Sequence, residues 1–131
     1  MSDWTGSDLE AIGGATELHV ASRRRDDTLR SYVTIWGVRV GDDLYVRSAY
    51  GADNPWFRRA EKAGAGRVRA DGVERDVTFT PLDPTSSAHS RIDAAYHDKY
   101  DLYGPRIVGS VVGEHATRVT LRLDPQNHTQ P

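Results

Sequence analysis

The fold is decided by residues 30–50, which read RSYVTIWGVRVGDDLYVRSAY. From Arg30 to Val40 successive side chains fall on two faces, one of which carries a tyrosine, a threonine, a tryptophan and two valines. This alternation is typical of a β-strand. Gly41-Asp42-Asp43 has the composition of a tight turn, and Leu44 to Tyr50 resumes as a second strand. The segment therefore predicts an antiparallel hairpin.

Further strands are predicted on both sides of this hairpin. Asp71-Gly72 is a two-residue turn of the kind that joins paired strands, and it stands between two alternating segments. Residues 107–112 are short and apolar, which fits either a strand or a packed loop. The remaining strands are expected at Glu17–Arg24, Arg67–Ala70, Val73–Leu82 and Thr117–Leu123.

Helical signals are fewer. Residues 7–12 predict a short helix, and Asn54-Pro55 opens a second one that ends at Gly64. A longer amphipathic helix is predicted from Ala88 to about Asp101, because apolar side chains recur there at three- and four-residue spacing. Hairpins joined in series, with one substantial helix, predict a mainly β (α+β) fold: a small antiparallel barrel or sandwich with the helix packed outside.

Composition narrows the class of protein. The 131 residues are 37% hydrophobic, contain no cysteine, have a net charge of −2 and include no apolar run long enough to span a membrane. We expect one cytoplasmic domain over residues 1–131, without nucleic-acid or membrane partners, whose core covers about 15–124 and whose tail at 125–131 is flexible. Trp4 is expected to precede the fold.

An anion site is suggested by a basic stretch of the chain and by one turn within it. Between Ala21 and Arg75 there are twelve basic residues against eight acidic ones. Gly51 to Phe57 passes from a strand into a helix, and such a turn exposes backbone N–H groups at a positive helix end. The same residues are also compatible with an ordinary helix start and two core aromatics.

Residues 35–60 resemble the corresponding segment of deazaflavin-dependent nitroreductases, which belong to the FMN-binding split-barrel superfamily. Over about Glu17 to Leu123 the chain is more similar still to an uncharacterised family, domain of unknown function 2255, above all at Val46–Gly51 and Ile92–Tyr96. The residues that match the nitroreductase pattern are Gly41-Asp42, Tyr45-Val46, Ser48-Ala49, Gly51 and Asn54-Pro55-Trp56-Phe57.

The resemblance implies a six-stranded split barrel that forms a homodimer, with FMN or a deazaflavin coenzyme at the subunit boundary. It implies cations from a basic turn, backbone donors from a small-residue turn, and contacts from the start of the following helix. Asp26-Asp27 departs from the pattern, since two carboxylates repel a phosphate. The implied cofactor-binding residues are Arg23, Arg24, Arg25, Arg30, Ser48, Ala49, Tyr50, Gly51, Asn54 and Trp56.

Two further groups are candidates for chemistry. His89, Asp93 and His97 fall on one helix face at four-residue spacing, where they form either a metal-binding set or a solvated polar face; no metal is expected. The tyrosines late in the same helix are either core residues or catalytic phenols that line a cofactor cleft. They are Tyr96, Tyr100 and Tyr103.

These observations favour a flavin- or deazaflavin-binding oxidoreductase that transfers hydride to a small organic acceptor at a dimer cleft. Hydride transfer needs few side chains, which agrees with the lack of an obvious acid–base constellation. The alternative is a cofactor-free or non-catalytic barrel that binds a small molecule, and Asp26-Asp27 favours it. A metal-dependent enzyme is a third reading.

Overall fold

Helices and strands cover most of residues 4–49 and 51–126, which are the residues that the computed structural model describes. Two short 3-10 helices, Asp101–Tyr103 and Glu114–Val119, lie between the later elements. The elements in chain order are α1 (Gly6–Gly14), β1 (Leu18–Ser22), β2 (Val33–Ile35), β3 (Gly37–Val40), β4 (Asp43–Arg47), α2 (Pro55–Ala63), β5 (Ala65–Ala70), β6 (Val73–Pro81), α3 (Ala88–Tyr100), α4 (Pro105–Gly109) and β7 (Thr120–Pro125).

The strands form one antiparallel sheet in the order β2-β1-β5-β6-β7-β4-β3. Its two edge strands, β2 and β3, are separated in the chain by Trp36 alone. The edges of the sheet must therefore meet, and the sheet curls into a nearly closed barrel. This confirms the predicted antiparallel barrel with helices.

The strand count is seven rather than six, because the single strand predicted from Arg30 to Val40 breaks at Trp36. Ile35 pairs with Leu18 on one side of the break, and Gly37 pairs with Val46 on the other. One straight strand cannot pair with both neighbours, so the chain bends between them. The alternation of side chains is the same for a straight and a bent segment, which is why the pattern did not reveal the break.

Glycine is required where the barrel wall comes closest to its neighbours. A Cβ at Gly37 would lie 2.7 Å from the Leu18 side chain, and one at Gly66 would lie 2.0 Å from the backbone oxygen of Ala21. Both distances are well below van der Waals contact. Any larger residue at Gly66 would push β1 and β5 apart.

The interior of the barrel is apolar, and two helices contribute to it. Leu9 and Ile12 of α1 and Phe57 of α2 belong to the same buried cluster as the inward residues of the strands. Trp4 is also buried there, and its indole N–H donates to the Leu123 carbonyl at 2.9 Å. The expectation that Trp4 precedes the fold was wrong, and the core begins before residue 15.

Helix α3 packs on the outside of the barrel, as predicted. Its buried residues recur at the expected spacing and contact Val38 and Tyr45, which point outward from the sheet. They are Ala88, Ile92, Tyr96 and Tyr100. The helix thus forms a second apolar layer on the barrel wall.

The C-terminal third differs from the prediction in its local structure. Residues 105–109, at the start of the segment expected to be a strand or loop, are helical, since Gly104 (φ 103°) turns the chain and Pro105 begins a helical turn. Residues 114–119 form a 3-10 turn, so the last strand starts at Thr120 rather than Thr117. It continues to Pro125, beyond the predicted end of the core, and residues 127–131 lie outside the described range.

None of the helices in the described part of the chain has the length and apolar content to cross a membrane.

Replacing Leu121 by alanine should lower the free energy of unfolding by about 2–5 kcal/mol, because a fully buried leucine would leave a cavity. Glu10→Ala, at an exposed position of α1, is the control and should change stability little. Urea unfolding measures both. A Leu121→Ala effect as small as that of the control would show that β7 presents its other face to the core.

Candidate functional site

The first feature of the site is a groove of about 780 Å³ between the turn after β1 and the exposed side of α2. We call it the basic groove, since six of its ten lining residues are cationic and two are acidic. Its walls are Arg23, Arg24, Arg25, Asp26, Asp27, Arg30, Arg59, Lys62, Ala63 and Ala65.

Two of the predicted phosphate ligands instead hold the turn together. Arg23 donates to the Asp27 carbonyl at 2.8 Å and to the Asp76 carboxylate at 3.1 Å. Arg24 donates to the Leu29 carbonyl at 2.8 Å. These contacts fix the loop that carries the groove's other cations.

The carboxylates that argued against an anion site are also used within the turn. Asp26 accepts hydrogen bonds from the hydroxyl and the amide of Thr28, at 2.6 and 3.1 Å, and these bonds hold the pKa of Asp26 below its usual range. Asp27 has a φ of 72° and lies 3.8 Å from the Arg23 guanidinium. The hydrogen bonds from Thr28 thus stabilise the charged form of Asp26, and the Arg23 guanidinium partly offsets the charge of Asp27.

Four cations of the basic groove have no partner. Among the described residues, the side chains of Arg25, Arg30, Arg59 and Lys62 take part in no hydrogen bond or ion pair. The Nε atom of Arg30 is buried as well as unpartnered, which is costly in the absence of a ligand or water.

Helix α2 contributes more charge than the sequence analysis recognised. Arg59 and Lys62 are three residues apart on the helix surface and were not predicted as ligands, because basic residues on an exposed face usually face solvent alone. A neighbouring groove of about 500 Å³ shares Arg30, Arg59 and Lys62 and adds Arg58. The basic surface therefore extends along α2.

The second feature is a cleft of about 290 Å³ that we call the aromatic cleft. Trp36, at the break between β2 and β3, and Trp56, near the start of α2, are its aromatic walls. Trp36 is held from behind by Tyr100, on which it stacks with ring centroids 4.0 Å apart and an interplanar angle of 9°. The lining residues are Thr34, Ile35, Trp36, Arg47, Ala49, Asn54, Trp56, Ile107, Ser110 and Val111.

The basic groove and the aromatic cleft adjoin each other at Trp56. A narrow cavity of about 20 Å³ is lined by Trp56 together with Arg30 and Arg59. Trp56 also lines the cleft, and both arginines line the groove. A ligand with a flat ring and an anionic group could therefore occupy both sites at once.

The small-residue turn belongs to the cleft rather than to the groove. Ser48 donates its amide to Val119 and its hydroxyl to Gly51, and the Gly51 amide lies 3.4 Å from the Ser48 carbonyl. Ala49 and Asn54 line the cleft, while Tyr50 lies outside the described residues. The structure thus separates the two turns that the sequence analysis combined in one phosphate site.

Arg47 is a buried charge that sequence reasoning missed. Its side chain is fully buried, and its guanidinium donates to Asp93 and lies 3.0 Å from Nδ1 of His89. From sequence alone, an arginine in an alternating strand is expected to face solvent. The signal that could have revealed it is the pair His89 and Asp93, four residues apart on the packed helix.

The three residues considered as metal ligands do not share one site. His89 and Asp93 surround Arg47, whereas His97 is half exposed and pairs with Asp101 at 2.8 Å. No group of three or more histidine, aspartate and glutamate side chains is placed to hold a metal ion within residues 4–49 and 51–126.

The three tyrosine candidates have different environments. Tyr96 and Tyr100 are fully buried, and burial raises the pKa of the Tyr96 phenol far above its ordinary value and that of Tyr100 to about 12. The Tyr100 hydroxyl lies 2.7 Å from the Thr16 carbonyl and accepts from the Gly37 amide. Tyr103 is 45% exposed and contacts Trp36, but it does not line the cleft.

Residues 8–123 match the model of a family described as uncharacterised proteins conserved in bacteria, DUF2255. The chain belongs to this family. The match includes every lining residue of the basic groove and the aromatic cleft, and it confirms the resemblance on which the cofactor hypothesis was based.

Solved structures share the fold at low sequence identity. The heme storage protein HutZ of Vibrio cholerae is 12% identical (TM-score 0.65; 88% of this chain and 85% of that one are covered). An F420 reductase is 20% identical (0.55; 90% and 92%), and an FAD-binding protein of Mesorhizobium loti is 15% identical (0.58; 95% and 91%). No curated protein sequence matches the chain.

The stability of this DUF2255 protein should rise with pH above about 8 because of Lys99. Its ammonium donates to the Gly37 carbonyl at 2.7 Å, and burial lowers its pKa from 10.5 to about 8. Between these values the unfolded chain binds the proton that the folded chain has released, so raising the pH stabilises the fold.

Urea unfolding of the wild type and of Lys99→Met between pH 7 and 9.5 measures this effect. We expect the wild type to gain stability relative to the variant as the pH passes 8. Parallel curves would show that Lys99 keeps an ordinary proton affinity in the folded protein.

Proposed function

We propose that this chain is a cytoplasmic protein that binds a flavin or deazaflavin cofactor, with its phosphate in the basic groove and its ring in the aromatic cleft. The observation that carries the proposal is the set of four unpartnered cations that adjoins a cleft with two tryptophans. The names of two similar structures, an F420 reductase and an FAD-binding protein, support a ligand of this type.

The groove residues fit a phosphate. Arginine offers paired N–H donors that match phosphate oxygens, and Arg25, Arg30 and Arg59 have donors that no described residue uses. Arg30 has the central place, because it lines the groove, the narrow cavity and the surface beside Arg58. Its buried Nε is a donor for a phosphate oxygen or for a water that bridges to one.

The cleft fits a ring rather than a whole cofactor. Its volume of about 290 Å³ is at the lower end of the ~300–1,000 Å³ typical of small-molecule sites. Trp36 and Trp56 supply apolar walls for a planar group, and Asn54 supplies a polar edge. Its amide lies 3.5 Å from the Ala49 carbonyl, which is too long for a strong bond and leaves the amide available to a ligand.

The reaction we propose is hydride transfer to a small organic acceptor, and the cofactor supplies that chemistry when it is bound. The protein orients the ring between the tryptophans and excludes water with Ile107 and Val111. The exposed Tyr103, which contacts Trp36, is our candidate for donating a proton to the acceptor, and the buried Tyr96 and Tyr100 are expected to support the cleft from the core.

A cofactor-free small-molecule-binding protein is the second candidate function. It is favoured by the turn at Ser48 and Gly51, whose amides already have partners and form no free phosphate cradle. In that case the cations of the basic groove would serve another anionic ligand.

Replacing Arg30 by alanine should weaken the binding of FMN and of a deazaflavin coenzyme about tenfold or more, since a hydrogen bond to a charged group is worth roughly 1.5–3 kcal/mol. Titration with each cofactor measures this, with Arg118→Ala as the control because Arg118 is exposed and lines neither the groove nor the cleft. Equal affinities in Arg30→Ala and wild type would remove Arg30 from the site. Failure of the wild type to bind either cofactor would favour the cofactor-free alternative.

We further propose a homodimer in which a second copy covers the open side of the cleft. Leu102, Tyr103 and Ile107 are exposed apolar side chains within six residues, and Ile107 lines the cleft. An interface of about 1,600 Å² or more is expected for a stable pair. Light scattering at micromolar concentration should give about twice the 14.5 kDa of one chain, and the mass of a single chain would contradict the dimer.

A further inference from the structure

One wall of the aromatic cleft is a short segment that lies between two glycines with positive φ. Ile107, Ser110 and Val111 line the cleft from a segment that consists of the five-residue helix α4 and the turn after it. We call residues 105–113 the cleft wall. Val108 and Val111 are buried, but Ile107 is 44% exposed, and the segment begins after Gly104 and ends at Gly113, both with positive φ.

The cleft wall is tied to the barrel through an ion pair between the fully buried Arg47 and the partly exposed Asp93. Nη1 of Arg47 donates to the Val111 carbonyl at 2.8 Å and to one oxygen of Asp93. The other oxygen of Asp93 accepts from the Gly113 amide at 3.3 Å. Strand β4 and helix α3 thus hold the wall by its backbone at two points.

Two of the three remaining N–H donors of Arg47 are used as well. Nε donates to the Thr120 hydroxyl at 2.9 Å, and Nη2 donates to Nδ1 of His89 at 3.0 Å. Because arginine cannot accept a hydrogen bond, Nδ1 of His89 is the acceptor and its Nε2 carries the proton that binds the Asp83 carbonyl at 2.9 Å. The guanidinium is therefore held in one orientation.

Stability alone does not require such an arrangement. A buried ion pair can often be replaced by apolar side chains of similar volume without loss of stability, since burying the charges is costly. What an apolar pair could not provide is a directed hydrogen bond to the Val111 carbonyl and to the Gly113 amide. The polar pair therefore fixes the position of the cleft wall.

We propose that Arg47 and Asp93 are positioning residues that set the width of the aromatic cleft by holding the cleft wall at Val111 and Gly113. Asp93 does not line the cleft and acts on the ligand through the wall, whereas Arg47 holds the wall and also lines the cleft itself. The inference rests on the proposed function for the identity of the ligand, a flat ring, but the position of the wall can be measured without any ligand.

The first experiment measures amide hydrogen exchange in the ligand-free protein, for the wild type and for Asp93→Asn. We expect exchange at Val111 and Gly113 to accelerate about tenfold or more in the variant, while amides of β5 and β6 such as Val68 and Val77 change little. Asp101→Asn is the control, since it alters an exposed pair with His97 at the C-terminal end of α3. It should leave hydrogen exchange at the cleft wall unchanged. Unchanged exchange at the wall in Asp93→Asn, or equal acceleration throughout the chain, would overturn the proposal.

The second experiment separates positioning from mere loss of stability. Asp93→Asn should raise the dissociation constant for FMN about tenfold, because the asparagine amide has one acceptor oxygen in place of the two that bind Arg47 and Gly113. Arg47→Lys should have a similar effect, since lysine cannot make the several directed bonds of the guanidinium, but Arg47 also lines the cleft and Asp93→Asn is therefore the decisive variant. Leu121→Ala lowers stability without touching the wall, so it should bind FMN like the wild type at a temperature where both are folded. Equal weakening in Leu121→Ala would overturn the proposal.

Inorganic pyrophosphate serves as a probe of the basic groove alone. Its affinity should be the same in Asp93→Asn and in the wild type, since the cleft wall does not line the groove. If the wild type binds pyrophosphate but no flavin, the proposed function fails, and the hydrogen-exchange result still decides whether Arg47 and Asp93 position the wall. If pyrophosphate binding also weakens in Asp93→Asn, the effect is not confined to the wall and the inference is wrong.

Discussion

The rest of the structure depends on how the barrel closes at Trp36 and Gly37. At this point the chain stops pairing with β1 and starts pairing with β4. Backbone groups at the break therefore lack regular partners in the sheet and need other hydrogen-bond partners. The Tyr100 hydroxyl accepts from the Gly37 amide, and the Lys99 ammonium donates to the Gly37 carbonyl. Two side chains of α3 therefore complete the hydrogen bonding of the closure, and a Cβ at Gly37 would clash with Leu18.

Closure also places the candidate site. Because the chain bends at Trp36, this side chain turns outward, stacks on Tyr100 and becomes a wall of the aromatic cleft. The same helix holds the cleft wall through Asp93, about two turns before Tyr100. Helix α3 thus connects the closure of the barrel with the shape of the cleft, and a change in its packing on the barrel would alter both.

The features that local sequence could predict are those that local chemistry determines. The Asp71-Gly72 turn, the start of α2 at Pro55 and the apolar face of α3 follow from positive φ, capping and spacing. The break at Trp36 depends on pairing with two distant strands, which leaves the alternation of residues unchanged. Arg47 was missed for a related reason: whether an arginine on a strand faces water or a carboxylate is decided by the helix that packs on it, 42 to 46 residues later.

The anion site shows why counting charges along the chain is insufficient. Fifteen of the seventeen basic residues are arginine, so the presence of any one of them carries little information. Asp26-Asp27 argued against a phosphate because two carboxylates repel it. In the fold, Asp26 accepts a hydrogen bond from Thr28, and Asp27 lies near Arg23. The groove also receives two cations from a separate helix, Arg59 and Lys62, beside Arg25 and Arg30. The potential of the groove is set by the cations that are left without partners, and only the fold determines which these are.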